Sequence, residues 1–511
     1  MSVRAKAGDS STPVLGSVPD SASEPASVSV AELGRAITRR QWLRGGLTVG
    51  ATVALAACGA ASPPNEEETA TPAPNRPGPG QQPAKSGSPN AAQAIVIGAG
   101  IAGLAAARAL VDGGVSVIVL EARDRIGGRI WTNRTMGMPI DLGASWIHGI
   151  QGNPLSTLAD KVGAARVTTD YESVALYDQK GVRVDEAVVS ATRKNFAALV
   201  AAVDAYREEQ DGDMPLAKAI AAVRGKIASG DALHRLDFAV HTTIEHEYAA
   251  SVQALSMQHW DAGDEGAGDD QVFPGGYDQL LTPLAAGVDV RLSQVVTQVQ
   301  HSDDGCTVHT QGATYQAEQV LVTVPLGVLK AGGVAFVPPL PARKQTAVSR
   351  LGFGLLDKLA LRFDAPFWPA NLMIDRDDAQ YGRWAEALNL QPVLGKPILL
   401  CFNAADYAQK MQSKSDAEAV ADALAALRSV FGVGVPEPKA FLRTRWGADP
   451  FARGSYSFLA VGATPDDRDA LAEPVGEHLY FAGEATHRGH AGTVHGALLS
   501  GKAAAVAMLA A

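Results

Sequence analysis

A glycine-rich turn between an apolar strand and a helix constrains this 511-residue chain more than any other feature. The run AIVI at 94–97 leads directly into GAGIAG at 98–103, and the alanine-rich segment that follows is typical of a helix. VSVIVL at 115–120 then predicts a second buried strand, which ends at Glu121. A strand, a GxGxxG turn, a helix, a strand and an acidic residue in this order predict a dinucleotide-binding βαβ unit.

Each glycine of this motif has a separate predicted role. Gly98 allows the tight turn, Gly100 lets the backbone approach a pyrophosphate, and Gly103 lets the helix pack closely on the strand. The helix N-terminus directs free N–H groups and partial positive charge toward the phosphates. Glu121 is placed to accept hydrogen bonds from a ribose hydroxyl. NAD and FAD both bind to such a unit, so the motif alone leaves the two cofactors open.

The composition is that of a globular protein with more than one domain, since 46% of the residues are hydrophobic and 19% are charged. The formal charge of −10 gives no sign of the basic surface that a non-specific nucleic-acid binder needs. The three cysteines form no CxxC pair and cannot build a disulfide framework. No apolar run reaches the ~18 residues of a membrane span.

The N-terminal region has the features of an export signal. TRRQWLR at 38–44 contains a pair of arginines, and the apolar segment at 45–57 has the length of a signal h-region. The segment ends in LAAC at Cys58, which resembles the lipobox of bacterial lipoproteins. We expect a twin-arginine (Tat-type) signal over 1–58 and a disordered, proline-rich linker over 59–93. The expected location is the periplasm or cell envelope, with a lipid anchor at Cys58; a disordered leader is the alternative.

Four further motifs carry a resemblance to a known family. EARDRIGGR at 121–129 and DLGASWIHG at 141–149 follow the second strand, and LYFAGEAT at 479–486 precedes GTVHGALLSG at 492–501. With these motifs the chain from about residue 94 to its end resembles the flavin amine oxidase family, in particular polyamine oxidases and lysine-specific histone demethylases. The resemblance favours FAD over NAD.

The resemblance implies an α/β fold in which a Rossmann-like FAD-binding domain of the glutathione-reductase type is interleaved with a mixed α+β substrate-binding domain. We assign 94–154, 271–335 and 444–511 to the FAD-binding domain, and 155–270 and 336–443 to the substrate-binding domain. Apolar residues at helical spacing predict mainly helices between 155 and 257.

The family motifs also imply a set of cofactor contacts. No cysteine matches the covalent attachment site of monoamine oxidases, so FAD is expected to be held non-covalently. Thr493 stands where some relatives complete an aromatic cage. The implied FAD-binding residues are Gly98, Gly100, Gly103, Glu121, Arg123, Gly128, Arg129, Val296, Trp446, Phe451, Glu484 and Thr493.

Three residues are expected to act on the substrate side. Hydride transfer from the carbon next to nitrogen needs a neutral amine, and a buried aromatic pocket disfavours the ammonium. Lys358, in an apolar strand, resembles the family's lysine that holds a water near flavin N5 and assists reoxidation by O₂. Tyr456 is expected to form one wall of the amine pocket, and His148 matches a histidine near the catalytic centre of polyamine oxidases. A surface lysine and a core histidine are the structural alternatives.

Two further clusters leave a choice between structure and function. The acidic stretch 261–270 is either solvated surface or an electrostatic funnel for a polycation. The second cluster, His487, His490 and His495, lacks a carboxylate or cysteine at ligand spacing, so we predict no metal site.

The expected function is FAD-dependent oxidation of an amine, with polyamines as substrates and O₂ as acceptor, giving aldehyde, amine and H₂O₂. A small-molecule amine and O₂ are the expected partners, with no nucleic acid. One alternative is an L-amino-acid or monoamine oxidase; an amino-acid oxidase would need an arginine clamp for the carboxylate. The other is an exported flavin-binding protein without catalytic activity.

Overall fold

The computed structural model describes residues 90–264 and 266–511. The predicted export signal, and the predicted linker up to residue 89, lie outside the described residues. Within them, no helix is long and apolar enough to cross a membrane.

The first sheet has eight strands and contains the predicted dinucleotide-binding unit. Its order is β13-β10-β11-β12-β1-β2-β9, and β21 pairs with β12. Strands β1, β2, β9, β12 and β21 are parallel where they pair, and their apolar residues are buried because helices cover the sheet. The bounds are β1 Ala91–Ile97, β2 Val117–Leu120, β9 Asp289–Arg291, β10 Val296–Ser302, β11 Gly305–Thr310, β12 Thr314–Val322, β13 Ala335–Val337 and β21 Leu479–Phe481.

Two helices pack together beside this sheet. The crossover helix α1 (Ile101–Asp112) connects β1 to β2, and the C-terminal helix α14 (Val494–Ala510) lies against it. The close approach needs Gly501, because a Cβ there would lie 2.1 Å from the carbonyl oxygen of Ala102. The first and last described helices are thereby fixed against each other.

The second sheet has six strands in the order β19-β15-β18-β17-β16-β7. Helices α11 (Ala405–Gln412) and α12 (Asp416–Phe431) share an apolar core with it. Helix α12 begins with a capping box in which Ser415 and Glu418 bond each other's backbone N–H groups. The strands are β7 Val174–Tyr177, β15 Leu356–Arg362, β16 Met373–Arg376, β17 Glu386–Asn389, β18 Ile398–Ala404 and β19 Ala440–Arg443.

A helical layer contributes the remaining large core. It consists of α3 (Glu186–Glu208), α4 (Leu216–Ile227) and α5 (Asp231–Val240), whose apolar faces share one cluster. Helix α5 continues through a π-helical turn, His241–Glu245, into the short α6, His246–Tyr248. A π-turn of this kind often occurs at a functional site.

The other elements are short. The strands are β3 Thr132–Asn133, β4 Ile140–Asp141, β5 Trp146–Ile147, β6 Val167–Thr168, β8 Gln271–Val272, β14 Gly352–Phe353 and β20 Ser457–Phe458. The helices are α2 Pro154–Lys161, α7 Thr282–Ala285, α8 Leu326–Lys330, α9 Ala342–Arg350, α10 Gln391–Leu394 and α13 Pro465–Ala472, with 3-10 turns at Tyr277–Leu281 and Glu484–Thr486.

The elements differ from the sequence-based expectation in two places. The region 155–257 is mainly helical, but β7 within it joins the second sheet, where Met373 pairs with Val174. Strand β13 lies partly beyond residue 335, yet it pairs with β10 of the first sheet, so this sheet extends past the predicted domain boundary. In both places the pairing depends on a distant strand, which local periodicity does not show.

Candidate active site

A cavity of about 640 Å³ is lined by residues of both sheets. From the first sheet, the turns after β1, β2 and β12 reach it at their carboxyl ends, which is where parallel sheets bind ligands. From the second sheet, β15, β17 and β18 contribute side chains. All the predicted site residues except Gly103 line this cavity.

The glycine turn has the shape that a pyrophosphate requires. Gly98 has φ +106°, and a Cβ there would lie 2.7 Å from the Thr323 hydroxyl oxygen. A Cβ on Gly103 would lie 2.0 Å from the carbonyl oxygen of Gly98, so the helix packs closely on the turn. A Cβ on Gly100 would meet no protein atom within 4 Å, and Gly100 lines the cavity. The backbone therefore closes on two glycines and faces open space at the third, which fits a bound dinucleotide.

Glu121 and Arg123 stabilise the adjoining wall. The buried Glu121 carboxylate accepts hydrogen bonds from the backbone N–H groups of Ala99 (2.7 Å) and Arg123 (2.9 Å). Each carboxylate oxygen retains a lone pair for a ribose hydroxyl. The Arg123 guanidinium forms two 2.8 Å bonds to Asp449 and lies over the Phe451 ring. Its charge is therefore already paired within the protein, which the sequence did not indicate.

An ion pair links the half-buried Arg129 to the buried Glu484. Arg129 Nη1 donates to Glu484 Oε1 at 2.9 Å and to the Ser455 carbonyl at 2.8 Å. Burial alone would raise the pKa of Glu484, but the charge of Arg129 and the Ser457 hydroxyl lower it overall. The charged form of Glu484 is therefore favoured at a position shortly before helix α14, whose N-cap Thr493 accepts a bond from the Gly496 N–H.

Lys358 is buried at the centre of the cavity wall. Its Nζ donates to the carbonyls of Gly143 (2.6 Å) and Asp141 (3.2 Å) and to the Ser145 hydroxyl (2.6 Å). Burial lowers the pKa of Lys358 to about 8, and the Asp141 carboxylate opposes that shift. Burial also raises the pKa of Asp141, against the bond from the Thr132 hydroxyl. The surface-lysine alternative is excluded, since Lys358 is 4% exposed.

His148 forms a pair with a fully buried carboxylate. Its Nδ1 lies 3.0 Å from Asp270 Oδ2, which also accepts from the Tyr171 hydroxyl at 2.9 Å. Burial raises the pKa of Asp270, but the charge and hydrogen bond of His148 lower it overall. The His148 side chain is 42% exposed and lines the cavity, so it is not a core histidine.

The acidic side chains of the stretch 261–270 differ in their burial and pairing. Asp270 is buried, Asp261 pairs with Arg207 at 2.8 Å, and the side chain of Asp264 is 73% exposed. Glu265 lies outside the described residues. Ala262 and Gly263 line the cavity, which brings the loop to its rim.

The aromatic residues are held by hydrogen bonds to backbone. The Tyr456 hydroxyl donates to the carbonyl of His246 at 2.6 Å, at the end of the π-turn. Trp446 donates through Nε1 to the Leu142 carbonyl, and its backbone N–H donates to Asp357 Oδ1 at 2.9 Å. Val296, at the start of β10, and Phe451 complete this part of the lining.

Sequence reasoning missed part of the site on the second sheet. Lys358 on β15 stands opposite Phe402 on β18, and Phe402 stands opposite Glu386 on β17. All three line the cavity, and the buried Glu386 has its Oε1 3.5 Å from His246 Nδ1. The alternation of side chains along a strand predicts which face of the sheet each residue lies on. It does not predict that these three residues form a row, because the row depends on the register between the strands.

The three C-terminal histidines contact one another: His487 and His490 stack with ring centroids 5.1 Å apart, and the rings of His490 and His495 lie 4.5 Å apart at an angle of 57°. In the part of the chain that the structure describes, no group of three His, Cys, Asp or Glu side chains is arranged to hold a metal ion.

Comparisons with known proteins agree with the geometry. The family model described as flavin containing amine oxidoreductase matches residues 101–509. The chain is 38% identical to polyamine oxidase 4 of Oryza sativa subsp. japonica over 427 residues, covering 80% of this chain and 87% of that protein. It is 37% identical to lysine-specific histone demethylase 1 homolog 1 of the same plant, but spans only 51% of its length. Putrescine oxidase bound to putrescine has a similar fold, with a TM-score of 0.69, 22% identity, and coverage of 82% of this chain and 99% of that one.

The burial of Lys358 predicts a pH-dependent stability. The unfolded chain binds the lysine proton below about pH 10.4, whereas the folded chain binds it only below about pH 8, so stability falls as the pH decreases between these values. In Lys358→Met, the difference between the free energies of unfolding at pH 10.5 and pH 8 should be smaller than in the wild type by up to about 3 kcal/mol. Urea unfolding of the apoprotein at the two pH values measures this difference. The exposed Lys439→Met should retain the wild-type dependence; equal slopes for all three proteins would contradict the assignment.

Proposed function

The chain belongs to the family of flavin-containing amine oxidoreductases, and from this membership we propose that it oxidises polyamines with O₂ as the terminal oxidant. FAD is the cofactor and is held non-covalently. When bound, FAD accepts a hydride from the carbon next to the reacting nitrogen and passes the two electrons to O₂. The products are an aldehyde, an amine and H₂O₂.

The first-sheet wall of the cavity is the proposed FAD site. The open space at Gly100 receives the pyrophosphate, and the free N–H groups of helix α1 face it. Glu121 accepts from the ribose. Trp446 and Phe451 form the part of the cavity wall that would lie beside the flavin ring. The N-terminus of α14, which follows Thr493, provides partial positive charge to it.

The opposite wall prepares the amine. Trp146, Phe402 and Tyr456 line the cavity with aromatic surface that disfavours an ammonium, so the reacting nitrogen is bound in its neutral form. We propose that His148, oriented by Asp270, accepts the proton that this nitrogen loses. Lys358 stays beside the reaction centre and assists the oxidative half-reaction.

The observation that carries polyamine specificity is the carboxyl group of Glu386 in the cavity wall. The backbone of Glu386 lies two strand spacings, about 10 Å, along the row from that of Lys358. A buried carboxylate is stabilised by a cation, and a second, protonated nitrogen of the same substrate provides one. A substrate with a single amine leaves this position without a cationic partner from the ligand.

An amino-acid oxidase is less consistent with the same cavity. Such an enzyme holds the substrate carboxylate with an arginine. Arg123 is paired with Asp449, Arg129 with Glu484, and the buried Arg468 donates to Ser457. Three of the four arginines that line the cavity are thus engaged by the protein, and the fourth, Arg453, is exposed, while the second-sheet wall presents Glu386, which repels a carboxylate.

Anaerobic reduction of the flavin tests the proposed activity. Spermidine added to the FAD-loaded protein without O₂ should bleach the flavin absorbance within seconds to minutes, and readmitted O₂ should restore it with release of H₂O₂. L-Amino acids at the same concentration should leave the spectrum unchanged. Bleaching by amino acids and not by polyamines would favour the alternative oxidase, and bleaching by neither would refute amine oxidation.

Glu386→Gln tests the substrate class. Loss of the charge–charge contact should lower kcat/KM for spermidine about 10- to 100-fold, since a hydrogen bond to a charged group contributes about 1.5–3 kcal/mol. The kcat/KM for a monoamine of similar length should change less than about threefold in Glu386→Gln. The control variant Glu318→Gln, at an exposed position, should have the wild-type kcat/KM for both substrates. An equal loss for both amines in Glu386→Gln would contradict recognition of a second cation.

We also propose that the protein is exported by the Tat route and anchored through Cys58. Support comes from the order of the arginine pair, the apolar segment and the LAAC run in residues 38–58. Replacing Arg39 and Arg40 by lysines should retain the protein in the cytoplasmic fraction of a Tat-competent bacterium. Cys58→Ala should leave export intact and release the protein from membranes; unchanged fractionation of both variants would disprove the proposal.

A further inference from the structure

The environment of Lys358 contains one group that differs in kind from the rest. The ammonium has three N–H donors, and three oxygens accept from Nζ: the carbonyls of Asp141 and Gly143 and the hydroxyl of Ser145. A carbonyl oxygen only accepts a hydrogen bond. A hydroxyl accepts one and has a hydrogen of its own to donate. Ser145 is therefore the acceptor that can receive a proton from Lys358 and release another.

The position of Ser145 leaves that hydrogen weakly held. Its Oγ is 3.3 Å from the carbonyl oxygens of Asp141 and Gly143, beyond the 2.5–3.0 Å range of a normal O–H···O bond. The bond from Lys358 to Ser145 is much shorter, at 2.6 Å. Ser145 and Lys358 both line the cavity, and their buried positions exclude bulk water from the contact.

We propose that Ser145 is a positioning and relay residue: it fixes the Lys358 ammonium and passes the Lys358 proton into the cavity when O₂ is reduced. This inference rests on the proposed oxidase function and assigns a part of it to a residue outside the predicted site.

The proton balance of the oxidative half-reaction requires such a donor. Reduction of O₂ to H₂O₂ takes two electrons and two protons. When bound in its reduced, anionic form, FAD would supply both electrons and one of the two protons. The second proton leaves Lys358 Nζ for Ser145 Oγ as the Ser145 hydrogen moves into the cavity toward the reduced oxygen. Lys358 becomes neutral, and a proton from solvent restores its charge before the next cycle.

Reoxidation after chemical reduction tests the relay without an amine substrate. The FAD-loaded wild type, Ser145→Ala and Ser145→Thr are reduced with dithionite, mixed with O₂, and followed by flavin absorbance between pH 6 and 10. Ser145→Ala should reoxidise at least about tenfold more slowly, and the pKa of its rate profile should move downward because the charged lysine loses an acceptor. Ser145→Thr keeps the hydroxyl and should recover most of the rate. Lys358→Met gives the rate without the proton donor.

Two controls separate the relay from a general defect. Ser156→Ala removes a hydroxyl that bonds the Ile150 carbonyl outside the cavity lining, and it should reoxidise like the wild type. FAD affinity of Ser145→Ala, measured by titration of the apoprotein, should stay within about twofold. A wild-type rate or an unshifted pH profile in Ser145→Ala, or an equal defect in Ser145→Thr, would overturn the proposal. If the wild type reoxidises through Ser145 but spermidine fails to bleach it, the polyamine assignment fails and the relay stands.

Discussion

Polar contacts between segments that are far apart in sequence hold the cavity walls together. Lys358 bonds segment 141–145, Arg123 bonds Asp449, and Arg129 bonds Glu484, each across more than 200 residues. These charges are largely buried, so removing one partner leaves the other without compensation, at about 3–5 kcal/mol for a fully buried pair. Such pairs add little net stability compared with apolar packing, but they define which arrangement of the walls is acceptable. The geometry of the site depends on them more than on the apolar cores of the individual sheets.

Burial disfavours the charged form of each ionisable group in this cavity, but the outcome differs between Lys358 and two carboxyl groups. At Lys358 burial lowers the pKa of the ammonium, and the hydrogen bonds to two carbonyls and a hydroxyl stabilise its charge in part. At Glu484 and Asp270 the nearby Arg129 and His148 outweigh burial, so both carboxyl groups remain charged. The site is thus a low-dielectric cavity in which each charge has a specific partner. With its pKa lowered to about 8, Lys358 exchanges its proton near neutral pH more easily than an ordinary lysine does.

Local sequence signals were sufficient for the nucleotide-binding half. The GAGIAG turn and the strands around it begin and end within a few residues of their predicted bounds, because glycine conformations act over a few residues. The fold class and FAD followed from these motifs and the family resemblance. The positions of Glu386 and Phe402 in the site could not be predicted from the motifs, since only the register of β15, β18 and β17 brings them into one row with Lys358. The pairing of Arg123 with Asp449 is equally invisible, because any of many acidic residues could have filled that role. The roles of the predicted site residues stay predictions.

Under the proposed function, the row Lys358–Phe402–Glu386 would also select which nitrogen of a polyamine reacts. A substrate nitrogen at one end of the row would have the Lys358 ammonium and the rings of Trp146 and Phe402 as neighbours. Both this positive charge and the burial favour a neutral amine. Near Glu386 the neighbour is a carboxyl group, which favours an ammonium. The two nitrogens of one substrate therefore experience opposite pKa shifts along a path of about 10 Å. Under the proposed function, the nitrogen that loses its proton most easily is the one placed at the flavin, so orientation and deprotonation are selected by the same electrostatic gradient.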